Sequence, residues 1–176
     1  VAKILASWNM DHITIIGGML HDTIEDTDTT LDEIEKEFGK DVASLVNGVS
    51  KLGGISFSSR KAKQAGNFMK MLISVAKDLR VIIIKFADRL HNMSTIKHLS
   101  RIKQHRIAIE TRDVYVPLAH RLGMAQVKWK LDDLILKTLN PKAYKDIDVK
   151  LKSSNKERIK YINLITKSLQ DELSNY

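Results

Sequence analysis

One run of this sequence, Val81–Ile84, has the composition of a β-strand, and no second such run is present to pair with it. A strand needs a partner because its backbone N–H and C=O groups are satisfied across a sheet. The run also continues through Lys85–Ala87 into Asp88 without a turn signal. We therefore predict that it is the buried part of a long helix over about residues 77–97, and that the chain is an all-α bundle.

The ends of further helices are predicted from their capping residues. Asn140 followed by Pro141 is typical of an N-cap with proline at the first helical position. Thr30 and Ser154 are each followed three positions later by Glu, which is the capping-box pattern, and each opens an amphipathic stretch. In contrast, the glycine- and serine-rich residues 51–59 are predicted to form a mobile loop.

The composition is that of a folded protein without a membrane span. Of the 176 residues, 43% are hydrophobic and 28% are charged, which suffices to fill a core and to solvate a surface. No window approaches the roughly eighteen uncharged apolar residues of a transmembrane helix. The absence of cysteine excludes disulfides, thiolate zinc sites and cysteine nucleophiles. The sequence has no initial Met and no secretory leader, so we expect part of a longer, cytoplasmic protein.

Charge is distributed unevenly along the chain. Residues 1–50 carry 3 basic and 10 acidic side chains, whereas residues 51–176 carry 26 basic and 11 acidic ones. A basic excess is compatible with nucleic-acid binding. An acidic segment beside a basic remainder equally suits carboxylates that hold a divalent cation and cations that receive a phosphorylated ligand. Charge alone does not choose between these partners.

Five ionisable side chains fall within the eight positions from His21 to Asp28, directly after an apolar stretch. If this segment is helical, Glu25 lies one turn above His21, and Asp26 lies one turn above Asp22. These four groups would share one broad face, as a divalent cation requires. Imidazole with carboxylates suits Mn, Fe, Zn or Co better than Ca or Mg. A solvated helix end explains the same pattern, and for an arbitrary sequence it is the favoured interpretation.

A second polar cluster surrounds Asp88. On a helix, Asp88, Asn92 and Thr95 share one face, and Lys85 lies one turn before Asp88. A carboxylate that emerges from an apolar run is partly desolvated, so it needs a cation or several donors. One candidate partner is Arg89 or Lys85 in a structural ion pair, and the other is the metal that His21 and Asp22 would bind. The spacing leaves both interpretations open.

Together the two clusters resemble a known pattern. His21-Asp22 followed much later by Asp88 is similar to the HD pattern of metal-dependent phosphohydrolases. Several longer segments resemble, in the same order, the family of bifunctional (p)ppGpp synthetases and hydrolases, the Rel/SpoT homologues. These segments are Leu20–Thr27, Asn47–Leu52, Gln64–Leu72, Lys85–Met93 and Pro117–Gly123.

The resemblance implies an all-helical hydrolase domain of the HD type. Such a domain removes the 3′-pyrophosphate of ppGpp and pppGpp, the guanine nucleotide alarmones of bacterial starvation signalling, and yields GDP or GTP and pyrophosphate. In that family a single Mn²⁺ is held by two histidines and two aspartates. His21, Asp22 and Asp88 match three of these ligands, so the resemblance implies Mn²⁺ as the cofactor.

The resemblance also implies roles for residues beside the metal. Glu25 and Asp26 match the acidic pair that positions or activates the attacking water in the family. Asn92 and Thr95 fall where family members contact the nucleotide. These four residues are therefore expected to carry proton transfer and substrate binding.

Further expectations concern charge and domain organisation. Lys51 and Arg89 are candidates to neutralise the charge that grows during phosphoryl transfer. Residues 1–140 are expected to form the hydrolase domain, truncated at its start. Residues 141–176 resemble the helical linker toward a synthetase domain, which would be a partner within the same polypeptide and would follow Tyr176.

One departure from the family concerns the metal shell. The family's first metal-binding His lies just upstream of a Val-Ala-x-Ile-Leu-Ala stretch, which corresponds to Val1–Ala6 here. We therefore expect these residues to supply one protein ligand fewer than the family's shell, at a cost in metal affinity and geometry. His12 is the nearest spare imidazole, and no motif nominates it as a substitute.

Two other functions are compatible with parts of the sequence. The HD pattern alone permits another nucleotide phosphohydrolase, although the longer motifs speak against it. A chain with an incomplete metal shell could instead be a helical module that binds alarmone without cleaving it. Nucleic-acid binding is not favoured, because no recognised motif supports it.

Overall fold

The computed structural model of the chain describes residues 1–53 and 78–173. Every regular element in these two ranges is helical, which confirms the predicted all-α class. The elements in chain order are α1 (Ala2–Ser7), α2 (His12–Leu20), α3 (Thr23–Asp26), α4 (Leu31–Phe38), α5 (Lys40–Gly53), α6 (Leu79–Ser94), a 3₁₀ turn (Ile96–His98), α7 (Arg101–Glu110), a π-helical segment (Thr111–Tyr115), α8 (Val116–Arg121), α9 (Ala125–Leu139) and α10 (Pro141–Leu173).

Helix α6 lies at the centre of the fold and confirms the predicted long buried helix. It packs against α1, α2, α5 and α9. Because neighbours cover it on several sides, its apolar residues need not alternate with polar ones, and the run from Val81 acquires a strand-like composition. The helix begins where Asp78 accepts the backbone N–H of Arg80 at 2.9 Å. It begins two residues later and ends three residues earlier than predicted, because the chain after Thr95 tightens into a 3₁₀ turn.

Two clusters of buried side chains use different faces of α6. In the first cluster, Phe86 and its neighbours contact residues from α7, α8 and α9; the fully buried members include Ile82, Phe86, Met93, Ala119 and Leu131. In the second, α6 contacts α1 and α5; its members include Leu5, Leu45, Val49, Val81, Ile84 and Ala87. Burial of each large side chain contributes about 1.5–3 kcal/mol, so α6 is fixed from both sides. Because α6 is packed on both of these faces, the position of Asp88 on it is fixed.

Two of the predicted helix starts are confirmed. The Thr30 hydroxyl accepts the Glu33 backbone N–H at 3.3 Å, and the Glu33 carboxylate accepts the Thr30 N–H at 2.8 Å, which completes a capping box. Helix α10 begins at Pro141, and the Asn140 side chain accepts the backbone N–H of Ala143 at 3.2 Å. Each cap satisfies an amide that would otherwise lack an acceptor.

The predicted helix start at Ser154 is wrong. Helix α10 continues from Pro141 to Leu173, a length of 33 residues, and passes through this position without a break. Serine and glutamate are both tolerated inside helices, so a capping-box pattern marks a start only where the preceding chain is not helical. None of the helices in the described ranges is long and apolar enough to cross a membrane.

The predicted loop over residues 51–59 begins too early. Residues 51–53 form the last turn of α5. The remainder of the predicted loop, and the motif Gln64–Leu72, lie outside the described residues.

Candidate metal centre

The segment that contains His21 is not one continuous helix. The shared face of His21, Asp22, Glu25 and Asp26 was predicted for a continuous helix, so that prediction does not apply as stated. Helix α2 ends at Leu20, His21 and Asp22 form a turn, and α3 begins at Thr23. The backbone N–H groups of Glu25 and Asp26 donate to the Asp22 carbonyl at 3.1 and 2.9 Å. As a result, the side chains do not share one environment: His21 is buried, whereas Glu25 and Asp26 are exposed.

The His21 ring is fixed by a backbone carbonyl. Its Nδ1 lies 2.9 Å from the carbonyl oxygen of Gly18. A carbonyl oxygen only accepts hydrogen bonds, so Nδ1 carries the hydrogen. In the neutral ring, Nε2 therefore presents its lone pair toward the site. A histidine held in this way is oriented as a metal ligand is in many proteins.

Two carboxylates converge on Nε2 of His21. Asp22 Oδ2 lies 2.9 Å away and Asp88 Oδ1 lies 3.5 Å away, and one ligand atom from each of the three residues lies within 4.8 Å of the others. Within the described part of the chain, the buried Nε2 has no well-directed hydrogen bond. Three electron-rich atoms at such distances repel one another unless a proton or a metal ion lies between them. The residues therefore fit a divalent cation.

The pKa directions of His21 and Asp88 also indicate that a positive charge is stabilised at this site. Burial lowers the pKa of His21, but the nearby carboxylates of Asp88 and Asp22 outweigh it, and the net pKa is raised. Burial raises the pKa of Asp88, but His21, Lys85 and Arg89 outweigh it, and the net pKa is lowered. Both directions mean that the pair favours its charged forms.

Helix α6 supplies Asp88 together with its supporting residues. The Asn92 amide nitrogen donates to Asp88 Oδ1 at 2.8 Å, one turn farther along the helix. Lys85 Nζ lies 4.0 Å from Asp88 Oδ2. Of the two cations considered as ion-pair partners of Asp88, it is thus Lys85 that approaches this carboxylate.

Arg89 has partners other than Asp88. Its Nη2 donates to Glu110 Oε1 and to the Tyr115 hydroxyl, both at 3.0 Å, and the guanidinium lies 4.1 Å from the centre of the Tyr115 ring. Burial lowers the pKa of Arg89, but Tyr115 and Glu110 outweigh it and raise the pKa. Tyr115 ends the π-helical segment, a distortion that is frequent near functional sites. These contacts attach α6 to the end of α7 and to the π-helical segment that follows it.

A cavity of about 530 Å³ lies beside this network. Arg89, Asn92 and Thr95 line it together with residues from the following 3₁₀ turn through α7, which are Ile96, His98, Leu99, Ile107 and Glu110. The Thr95 hydroxyl donates to the His91 carbonyl at 3.1 Å. Three of the four predicted substrate-binding residues thus border one cavity. The fourth, Lys51, is exposed in the last turn of α5, and no contact within the described ranges joins it to the cavity.

Comparison with known proteins identifies the family. The family model described as "HD domain" matches residues 1–125. The chain belongs to the HD domain family. HD domains bind divalent metals, in agreement with the cluster of His21, Asp22 and Asp88.

Similar curated proteins narrow the family further. The chain is 49% identical over 165 residues to a GTP pyrophosphokinase of Myxococcus xanthus. This alignment covers 92% of the chain and 22% of that protein. It is 50% identical over 147 residues to a probable guanosine-3′,5′-bis(diphosphate) 3′-pyrophosphohydrolase of Synechocystis, covering 84% and 19%. It is 44% identical over 173 residues to the bifunctional (p)ppGpp synthase/hydrolase SpoT of Escherichia coli, covering 98% and 25%.

These matches confirm the predicted resemblance to the Rel/SpoT homologues for this HD domain. The chain spans about a fifth to a quarter of the length of these relatives. The similarity therefore concerns one portion of larger enzymes.

The sequence did not reveal several residues that line the cavity. Leu99, Ile107 and Glu110 were not singled out. Local spacing carries no signal for such residues, because α7 reaches α6 only through the turn of the chain after Thr95. Glu110 could have been suspected only as an acid among basic neighbours on α7.

Proposed function

We propose that this HD domain hydrolyses the 3′-pyrophosphate of ppGpp and pppGpp to give GDP or GTP and pyrophosphate. The proposal rests above all on the convergence of His21, Asp22 and Asp88, whose ligand atoms lie within 4.8 Å of one another. Such a donor set suits a divalent cation that acts on a phosphate group. The names of the Synechocystis and Escherichia coli relatives favour (p)ppGpp as the substrate.

Under this proposal, His21, Asp22 and Asp88 hold Mn²⁺. One imidazole and two carboxylates form a mixed donor set, which suits a transition metal better than Ca²⁺ or Mg²⁺. A bound divalent cation supplies a Lewis acid for phosphate oxygens and lowers the pKa of the water that it holds. The Gly18 carbonyl orients His21, and the Asn92 amide orients Asp88.

We assign proton transfer to Glu25 or Asp26. Both side chains are exposed on the short helix α3, and both backbone N–H groups bond to the carbonyl of Asp22. This connection ties the acidic pair to a residue of the metal centre. A carboxylate next to the attacking water can accept its proton.

We propose that the nucleotide occupies the cavity lined by Arg89, Asn92 and Thr95. Its volume of about 530 Å³ is within the range of small-molecule sites. Asn92 both lines the cavity and donates to Asp88, so it links the nucleotide site to the metal centre. Arg89 and Lys51 would offset the negative charge of the phosphates.

The proposal includes the organisation of the chain. Residues 1–140 would form the hydrolase domain, and residues 141–176 would connect it to a synthetase domain. The name of the Escherichia coli relative, a bifunctional (p)ppGpp synthase/hydrolase, supports that arrangement. Helix α10 begins at Pro141 and supplies a continuous connection as far as Leu173.

The proposal is tested by measuring pyrophosphate release from ppGpp with Mn²⁺ and again with EDTA. We expect release that EDTA abolishes, and no comparable release from deoxynucleoside triphosphates or cyclic dinucleotides. Asp88→Asn should lower the rate by at least about 100-fold, since it removes a proposed ligand at nearly constant volume. Asp133→Asn on α9 is the matched control, because Asp133 is exposed and lies on a different helix.

The binding of Mn²⁺, followed by electron paramagnetic resonance, separates the outcomes. Protein that binds Mn²⁺ through Asp88 but releases no pyrophosphate from ppGpp would overturn the hydrolase proposal and favour an alarmone-binding module. Equal activity in Asp88→Asn and the parent chain would overturn the assignment of the metal centre.

A further inference from the structure

Lys85 is a buried cation that the proposed chemistry does not use. It lies on α6 and is 8% exposed, although lysine is rarely buried without a partner. Its ammonium group has three N–H donors, and its Nζ lies 4.0 Å from Asp88 Oδ2. That distance is too long for a hydrogen bond. The position therefore places a buried positive charge beside Asp88 without a direct hydrogen bond to that carboxylate.

The contrast with Arg80 shows what a structural ion pair looks like in this chain. The Arg80 side chain makes three hydrogen bonds to Asp78, at 2.7, 3.0 and 3.1 Å. Asp88 differs from Asp78 because its hydrogen bond comes from Asn92, at 2.8 Å, and not from a cation. The Nε2 atom of His21 lies 3.5 Å from Asp88 Oδ1. Lys85 contributes its charge to Asp88 rather than a hydrogen bond, and that charge lowers the pKa of Asp88.

The charges around the metal centre give Lys85 a role. Asp22 and Asp88 carry two negative charges, and His21 is neutral when its Nε2 binds a metal. A divalent cation cancels the charge of the two carboxylates that bind it, and Lys85 adds one positive charge beside these ligands. A positive centre repels the cation somewhat but attracts a phosphate anion.

We infer that Lys85 sets the charge of the metal centre, weakening the binding of the divalent cation and strengthening the binding of the diphosphate group. The inference rests on the proposed function, because it requires the metal centre at His21, Asp22 and Asp88. Lys85 acts on the metal centre through its charge and does not bind the metal itself.

The test compares Lys85→Met with the parent chain at one fixed pH. Methionine has a similar length and is suited to a buried position. The binding of Mn²⁺ is measured by electron paramagnetic resonance, and the binding of inorganic pyrophosphate to the Mn²⁺-loaded protein is measured by calorimetry. We expect Lys85→Met to bind Mn²⁺ roughly three- to tenfold more tightly and pyrophosphate more weakly by a similar factor.

Two further variants serve as controls. Lys85→Arg keeps the charge, so both affinities should stay close to those of the parent chain. Lys36→Met removes a positive charge from an exposed position on α4 and should change neither affinity. Circular dichroism of each variant confirms that it is folded; if Lys85→Met does not fold, the same measurements are made on Lys85→Gln.

The outcomes distinguish this inference from the proposed function. A residue that only stabilises the fold would lose affinity for both ligands when replaced, and that result, or unchanged Mn²⁺ binding, would overturn the role of Lys85. If Mn²⁺ binding is insensitive to Asp88→Asn as well, the metal centre itself is wrong. Opposite shifts of the two affinities are expected only if the charge of Lys85 acts on the centre.

Discussion

The contact between Gly48 on α5 and Val81 on α6 allows a quantitative test of the packing beneath the site. A Cβ atom placed on Gly48 would lie 2.7 Å from Cγ2 of Val81, closer than carbon atoms approach in proteins. Valine is branched at Cβ and has little rotational freedom in a helix, so it cannot easily move aside. Val81 is also buried, which leaves no space for its methyl groups to move into. Gly48→Ala should therefore force α5 and α6 apart.

The magnitude follows from two opposing effects. Overpacking a buried contact costs about 1–3 kcal/mol. Alanine in place of glycine within a helix gains about 1 kcal/mol. We expect Gly48→Ala to destabilise the parent chain by about 1 kcal/mol. In a Val81→Ala background the obstructing methyl groups are absent, so the same change should stabilise the protein by about 1 kcal/mol.

The assay is urea unfolding of the four proteins of this double-mutant cycle, followed by circular dichroism. Gly17→Ala on α2 is the matched control. A Cβ there would lie 3.4 Å from side-chain atoms of Ile84 and Leu45, which is ordinary contact, so we expect Gly17→Ala to stabilise the protein by up to about 1 kcal/mol. If Gly48→Ala has the same effect with Val81 and with Ala at position 81, the steric explanation is refuted.

Three further predictions concern charged groups. The hydrogen bond from Arg80 holds the pKa of Asp78 below its ordinary value of 3.8, so the stability it contributes is present above about pH 4 and is lost as the pH falls. Asn caps a helix about as well as Asp, so Asp78→Asn should destabilise the protein through loss of the ion pair with Arg80, by up to about 1 kcal/mol near neutral pH, and the difference in unfolding free energy should shrink in acid. Glu110→Gln removes a charged partner of the buried Arg89 and should cost about 2 kcal/mol in urea unfolding, whereas a loss below about 0.5 kcal/mol would contradict this pairing. Excess Mn²⁺ should raise the melting temperature of the parent chain but not of Asp88→Asn, and EDTA should reverse the increase.

Much of the architecture follows from local patterns in the sequence. Val81–Ile84 could be assigned to a helix because the apolar run continued into Asp88 without a turn and had no partner strand. Thr30 could be recognised as a cap because the chain before it is not helical, and Asn140 because proline follows it at the first helical position. Ser154 could not be judged by its own pattern, since the same residues are compatible with the interior of α10.

The interruption of the helix between Leu20 and Thr23 was not predictable from helical spacing. In a continuing α-helix the Gly18 carbonyl would accept the N–H of Asp22. Here the His21 ring donates to that carbonyl at 2.9 Å, so a side chain competes with the helix for its acceptor. This competition depends on the ring orientation, which Asp88 from a distant helix also influences. The sequence therefore indicated the ligands but not the turn that carries them.

The cavity wall is a second feature that depends on distant contacts. Arg89 contacts Glu110 and Tyr115, which are 21 and 26 residues farther along the chain. No periodic pattern of one helix encodes such pairs. Arg89 was expected to face phosphates, and its bonds to Glu110 and Tyr115 became known only from the fold.

The length of α10 has a mechanical consequence. At 33 residues the helix is about 50 Å long, and it joins α9 through the single residue Asn140. A change of about 10° in its direction at Asn140 would displace the far end by roughly 9 Å, whereas side chains near Pro141 would move by less than about 1 Å. Thr138 and Pro141 line a cavity together with Met93 and Ser94 at the end of α6, so a small rearrangement there would become a large displacement at Leu173.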